Sequence, residues 1–188
     1  MIRIGITGSL ASGKTTASKI LSFRKGPLFS ADKAVKELYK NKRFKQLLSK
    51  EFKIKNNNKI KESLKKLLLE KKENIKKLEK MIPPHVRKKM KSFTSQNKKK
   101  KILFYEIPLL IESRLMKYFN VIIFVRAKRQ IRLKRFTSNS GNKELFNLLN
   151  NKQMADKKKS KFCDHIVVNE KNLDILKNNL LAIIEKYE

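Results

Sequence analysis

The sequence predicts an α/β protein: a parallel β-sheet flanked by helices, with a helical insertion between strands. Three observations carry this. Gly8-Ser9-Leu10-Ala11-Ser12-Gly13-Lys14-Thr15 fits the phosphate-cradling pattern G-x-x-x-x-G-K-S/T at every fixed position. It stands between a short apolar run, residues 2–7, and a helix-compatible run, residues 15–23. Beyond it, short apolar strands alternate with helical segments, the order that builds a parallel sheet with crossover helices.

After the first helix, residues 27–29 read as a short second strand. Ser30 is placed to cap the following helix, which carries Ala34, Val35, Leu38 and Tyr39 at helical spacing. Asp32 then lies just past a strand end, at the sheet edge where open α/β folds bind ligands. Residues 41–98 are Lys-rich and poor in strand character. Phe44, Leu47, Leu48 and Phe52 predict one helix; Leu64, Leu67 and Leu68 a second; Ile75, Leu78 and Ile82 a third. Pro83-Pro84 is expected to break the run, with Pro84 opening a fourth helix to about residue 95.

Strand character returns at residues 101–107, with Glu106 near its end, followed by Pro108-Leu109-Leu110-Ile111-Glu112. Residues 120–125 predict another strand and 127–138 a cationic helix. Residues 139–142 form a polar break, and 143–161 read as one further helix. A last strand at 166–168 precedes an amphipathic helix over 173–187, with Leu173, Leu176, Leu180, Ile183 and Ile184 on its apolar positions.

Composition narrows the function classes. With 188 residues and 40% apolar content, the chain can bury a core as one domain with insertions. No apolar run reaches the length of a membrane span, and the N-terminus lacks a secretory apolar region. The single Cys163 cannot form an internal disulfide and reads as a small core or edge residue. A cytoplasmic protein is expected. The net charge of +32 admits two readings: nucleic-acid or membrane-surface attraction, or a compositional bias spread over solvated faces. Only nine of the 48 cations are Arg, Asn is abundant (Asn56-Asn57-Asn58), and no basic tail stands apart. These features favour bias, with weak electrostatic binding and no specific nucleic-acid partner.

Phosphoryl transfer requires charge neutralisation, alignment and a carboxylate near the attacking hydroxyl. The phosphate loop supplies consecutive backbone N–H groups and a helix N-terminus. Lys14 is expected to reach the β- and γ-phosphates, and the Thr15 hydroxyl to bind Mg²⁺. Asp32 is the candidate acceptor-side carboxylate, or else a helix N-terminal acid serving the dipole. Glu106 is a candidate for organising Mg²⁺ and its waters, or else an ordinary polar residue at a strand exit. Arg126, Arg129, Arg132 and Arg135 recur every three residues, a winding stripe suited to phosphate or to solvent. His85 and His165 read as structural.

Taken together these motifs resemble the dephospho-coenzyme A kinase family over essentially the whole chain. Ile4-Gly5-Ile6-Thr7-Gly8 with Ser12-Gly13-Lys14-Thr15-Thr16 looks like its opening. Ser30-Ala31-Asp32 looks like its Asp-Ala-Asp motif. Glu106-Ile107-Pro108-Leu109-Leu110-Ile111-Glu112 looks like its Asp-x-Pro-Leu-Leu-x-Glu motif, the most discriminating match. Pro84 and Val86-Arg87 resemble a His-Pro-x-Val-Arg segment, and Gln153, Lys159, Asp164 and Asn169 its C-terminal pattern.

The resemblance implies a P-loop kinase fold with a core (1–40, 99–125, 162–188), a helical coenzyme A-binding subdomain (41–98) and a lid (126–161). It implies ATP-dependent phosphorylation of the ribose 3′-hydroxyl of dephospho-coenzyme A, giving coenzyme A and ADP. ATP would be held by Gly8, Ala11, Ser12, Gly13, Lys14, Thr15, Thr16 and Asn169. Dephospho-coenzyme A would be held by Asp32, Arg87, Pro108, Leu109 and Glu112, and Mg²⁺ by Thr15 and Glu106. Asp32, Lys14 and Arg135 would be the catalytic groups. Against the family pattern, Ser30 and Glu106 each replace an Asp, Ala11 replaces a loop Gly, Pro83 replaces a His, and Asn139 replaces a second lid Arg. Two expectations then stand open: Arg132 or Lys134 compensates in the lid, or turnover is slow. A kinase of another small acceptor, such as a nucleoside monophosphate, and an ATP-switched nucleic-acid-binding protein remain the alternatives.

Overall fold

The computed structural model describes residues 1–55 and 60–188; Asn56 to Lys59 and the side chains of Lys61, Lys65, Leu68, Leu69, Glu70 and Lys72 lie outside the described residues. In chain order the elements are β1 (Ile2–Gly8), α1 (Lys14–Ser22), β2 (Leu28–Ser30), α2 (Ala31–Leu38), α3 (Lys42–Phe52), α4 (Ile60–Glu70) and α5 (Lys72–Gln96). They continue with β3 (Ile102–Glu106), β4 (Val121–Arg126), α6 (Arg129–Thr137), α7 (Lys143–Asn151), α8 (Asp156–Lys159), β5 (His165–Val168) and α9 (Leu173–Ile184).

The strands form one parallel sheet in the order β2-β3-β1-β4-β5. β1 is central, and residues 4–8 are buried on both faces, which is why this strand is apolar rather than alternating. One face packs Ile4, Ile6, Phe104, Ile123 and Val125 against Ala17 and Leu21 of α1 and Leu176, Leu180 and Ile184 of α9. On the other, Leu110 and Phe119 lie so close to Gly5 that a Cβ there would collide with them. From β1 the chain goes on to β2, and from β3 to β4, on opposite sides of the sheet. The C-terminal ends of β1 and β3 therefore flank a topological switch point, where ligands bind in open α/β sheets.

The chain divides into two compact units, residues 1–30 with 96–188, and residues 31–95. The second unit is helical. Asn41 caps α3 by accepting from Phe44 N at 3.1 Å, and Phe44, Leu48, Phe52, Ile60, Leu64, Val86 and Met90 form its interior. His85 packs edge-on against Phe44, with ring centroids 5.0 Å apart.

Three expectations are corrected. Pro83-Pro84 does not break the helix: α5 runs unbroken from Lys72 to Gln96 with both prolines inside. Two adjacent prolines remove only two N–H donors, while Val86 and Met90 beyond them are buried, so burial outweighs the lost bonds. Residues 143–161 do not form one helix. α7 ends at Asn151, Ala155 adopts extended backbone angles, and α8 starts afresh at Asp156. Leu47 and Leu173, expected on apolar faces, are exposed.

Candidate active site

The phosphate loop leaves the end of β1 and enters α1 with two left-handed residues. Gly13 (φ 94) is the N-cap of α1, and Ala11 has φ 57. A Cβ at Gly13 would collide with Asn169 Nδ2, so glycine is required by both angle and space. Ala11 has no such exemption. A left-handed non-glycine residue costs about 1–2 kcal/mol, only partly offset by the smaller unfolded-state entropy of alanine, about 0.4–1 kcal/mol. Ala11→Gly is therefore expected to raise unfolding stability by about 0.5–1 kcal/mol. Urea denaturation checks this, and a loss of stability would contradict the left-handed assignment.

Lys14 is buried and its Nζ donates to Ser9 O at 2.8 Å, so the side chain folds back across the loop. Thr15 and Thr16 occupy the first turn of α1 and are exposed. The Thr15 hydroxyl donates to Glu106 Oε1 at 2.5 Å. Glu106 is the last residue of β3, stands opposite Ile6 of β1 in register and is buried. The site thus brings together the hydroxyl and the carboxylate expected to act on one metal ion. Both are hard oxygen donors. Among the described residues no cluster of three or more His, Cys, Asp or Glu side chains could hold a metal by itself. This donor set fits Mg²⁺, which takes one or two protein oxygens and completes its shell with phosphates and water.

The Arg stripe separates into distinct tasks. Arg126 ends β4, and Arg129 opens α6 and donates to Asn147 Oδ1 at 2.6 Å. Arg132 is only 5% exposed; it donates to Ala127 O (3.1 Å), Leu10 O (3.3 Å) and Asn150 Oδ1 (2.8 Å). Burial pulls its guanidinium below the ordinary value, with Asp156 opposing that shift. Its hydrogen bonds go to the protein, so the lid role expected for Arg132 finds no support in its geometry. Arg135 reaches the phosphate loop, with Nη1 3.4 Å from Ser12 O and Nη2 3.5 Å from Asn169 Oδ1. Asn169 is buried and donates to Ser12 O at 2.9 Å. Asn139 donates to Arg135 O and so closes the end of α6 rather than facing the loop.

The segment after β3 is held from the same side. Thr7 Oγ1 donates to Pro108 O at 3.1 Å, while Leu109 is exposed. Glu112 Oε1 accepts from Met154 N at 3.1 Å and lies 2.7 Å from Nζ of the fully buried Lys159. The pair is coulombic rather than directional: Lys159 Nζ and Glu112 Oε2 have no hydrogen-bond partner among the described residues. Removing one member strands the other, at about 3–5 kcal/mol. Lys159→Met is expected to lower the melting temperature by many degrees, and Lys159→Met combined with Glu112→Gln to recover part of the loss. A cycle with no coupling would show the pair to be inconsequential.

Asp32 stands in the first turn of α2, and Arg87 in α5 beside Val86. Both belong to the helical unit. Along the chain, Asp32 follows by two residues Ser30, which pairs in register with Glu106. Cys163 is half-buried, and burial pushes its thiol up to about 12, which marks it as inert. His165 pairs with the Tyr187 hydroxyl at 2.6 Å, away from the loop's hydrogen-bond network. Asp156 escaped the sequence reading. Its hydrogen bond from the Ser9 hydroxyl is one of the loop's direct ties. The only signal was an acid in an otherwise basic stretch, Lys152 to Lys161.

Comparison with known proteins agrees with this geometry. A family model described as Dephospho-CoA kinase matches residues 2–174. The dephospho-CoA kinase of Bartonella quintana (strain Toulouse) is 36% identical over 187 residues, covering 97% of this chain and 96% of that protein. A crystal structure from Thermus thermophilus is 25% identical with a TM-score of 0.83, covering 100% of this chain and 98% of that one. In fold alone, a dephospho-CoA kinase from Campylobacter jejuni is similar at a TM-score of 0.67 and 22% identity, covering 99% of this chain and 97% of that one. On the family match and the near full-length relative, the chain belongs to the dephospho-CoA kinase family.

Proposed function

We propose that this chain transfers the γ-phosphoryl group of ATP to the ribose 3′-hydroxyl of dephospho-coenzyme A, the final step of coenzyme A formation, using the phosphate loop and Asp32. The observation that carries the reading is the donor end: a left-handed N-cap at Gly13, Lys14 folded across the loop, and Thr15 bonded to Glu106.

The N–H groups of the first turn of α1 lack intrahelical partners and present partial positive charge to the phosphates. Lys14 and Arg135 stabilise the charge that spreads over the transferring oxygens. Asp32 accepts the proton of the 3′-hydroxyl as that oxygen bonds to the γ-phosphorus and the bridging oxygen leaves with ADP. Thr15 and Glu106 would hold Mg²⁺, which supplies further neutralisation of phosphate charge when bound. Arg87, Pro108 and Leu109 are read as acceptor contacts, and Gly8, Ala11, Ser12, Thr16 and Asn169 as donor contacts. Glu112, held by Lys159 and Met154 N, serves acceptor binding by fixing the Pro108–Leu109 turn. The weak, long bonds of Arg135 to Ser12 O and Asn169 leave it able to exchange them for phosphate oxygens.

We read the work as cytoplasmic, a reading that the lone Cys163 supports. No helix among the described residues is long and apolar enough to cross a membrane. The positive charge is read as sequence-independent attraction that salt removes. Coupled ADP release with dephospho-coenzyme A, with nucleoside monophosphates and without acceptor tests the reading. Release driven by dephospho-coenzyme A alone is expected. Equal rates with a nucleoside monophosphate would favour the other kinase reading.

A further inference from the structure

The arch of the phosphate loop is gripped from outside. Leu10 N donates to Gln153 Oε1 at 3.0 Å, and Leu10 O accepts from Arg132 Nη1 at 3.3 Å. The hydroxyl of Ser9, only 2% exposed, donates to Asp156 Oδ1. Three side chains thus take both polar backbone groups of Leu10 and the side chain of Ser9. All three come from α6, α8 and the turn before α8, not from the loop itself.

Two physical arguments give this arrangement a purpose. Ala11 holds a left-handed angle that alanine resists, so the arch relaxes unless neighbouring contacts over-determine it. A carboxylate bonded to a phosphate-binding loop also repels the very anion the loop receives. Asp156 therefore has no place there as a ligand contact. Arg132, 4.0 Å away, offsets its charge, which leaves Asp156 a purely geometric task. The turn carrying these groups is itself anchored, since Met154 N and Lys159 both hold Glu112.

We propose that Asp156, Gln153 and Arg132 are positioning residues that clamp the Ser9–Leu10 arch in the shape that binds the ATP phosphates. This rests on the donor-site reading above. The clamp sets ATP affinity through backbone placement, and it touches neither substrate.

Equilibrium binding of MgATP to the full chain, without acceptor, tests this beside steady-state kinetics. Asp156→Ala is expected to weaken MgATP binding about tenfold, the scale of one lost hydrogen bond to a charged group. The KM for dephospho-coenzyme A is expected to stay within about twofold, and Asp156→Asn, which keeps an acceptor oxygen, to restore most of the affinity. Ser9→Ala is expected to reproduce Asp156→Ala, and the double variant to be no worse than either alone. If Asp156→Ala fails to fold, Ser9→Ala, which removes one hydroxyl oxygen, carries the same expectation. Unchanged MgATP affinity in the folded variants, even with lowered thermal stability, would overturn the clamp. So would multiplying losses in the double variant. Wild-type protein that binds no MgATP would overturn the donor-site reading, and the clamp with it.

Discussion

Lys14→Met is expected to lower kcat about a thousandfold, the scale of removing one charged transition-state contact in a dry site. Methionine keeps the length and apolar stem of the side chain, which is buried beneath the loop. The substitution removes the charge and the bond to Ser9 O. That bond is one neutral-acceptor contact, worth about 1 kcal/mol of stability. A large fall in kcat with a small fall in melting temperature therefore separates charge stabilisation from folding. A kcat within tenfold of wild type would remove Lys14 from the catalytic groups.

Asp32→Asn is expected to lower kcat about 10²–10⁴-fold, the range for removing a general base. The substitution keeps size and hydrogen-bonding capacity and abolishes proton acceptance. If Asp32 serves only the α2 dipole, the loss is confined to stability, at about 0.3–1 kcal/mol, and kcat stays. The two readings of this residue thus predict opposite kinetic results. A kcat near wild type would leave Asp32 as a helix N-terminal acid.

The parallel sheet was legible because buried strands such as β3 and β4 are apolar up to their last residues, Glu106 and Arg126, and sit between helical segments. The donor loop was legible because its pattern encodes both its left-handed Gly13 and its charged Lys14. What stayed hidden depended on tertiary contacts. The break after Asn151 has no glycine or proline signal; it leaves Gln153 and Met154 N free of the helix, where they bond to Leu10 and Glu112. The continuity of α5 through Pro83-Pro84 reflects burial on its far side, which local propensity does not register. Arg132 and Arg135 look alike in sequence. Only position divides them: one is sealed among Ala127, Asn150 and Phe146, the other reaches Ser12.

The central claim is the identity of the acceptor atom, and phosphorus NMR of the product tests it most directly. Incubation with ATP and dephospho-coenzyme A is predicted to yield one new phosphomonoester resonance, on the ribose 3′-oxygen, in equal amount to ADP. A phosphate on any other oxygen, or ADP formed at the same rate without the acceptor, would contradict the account.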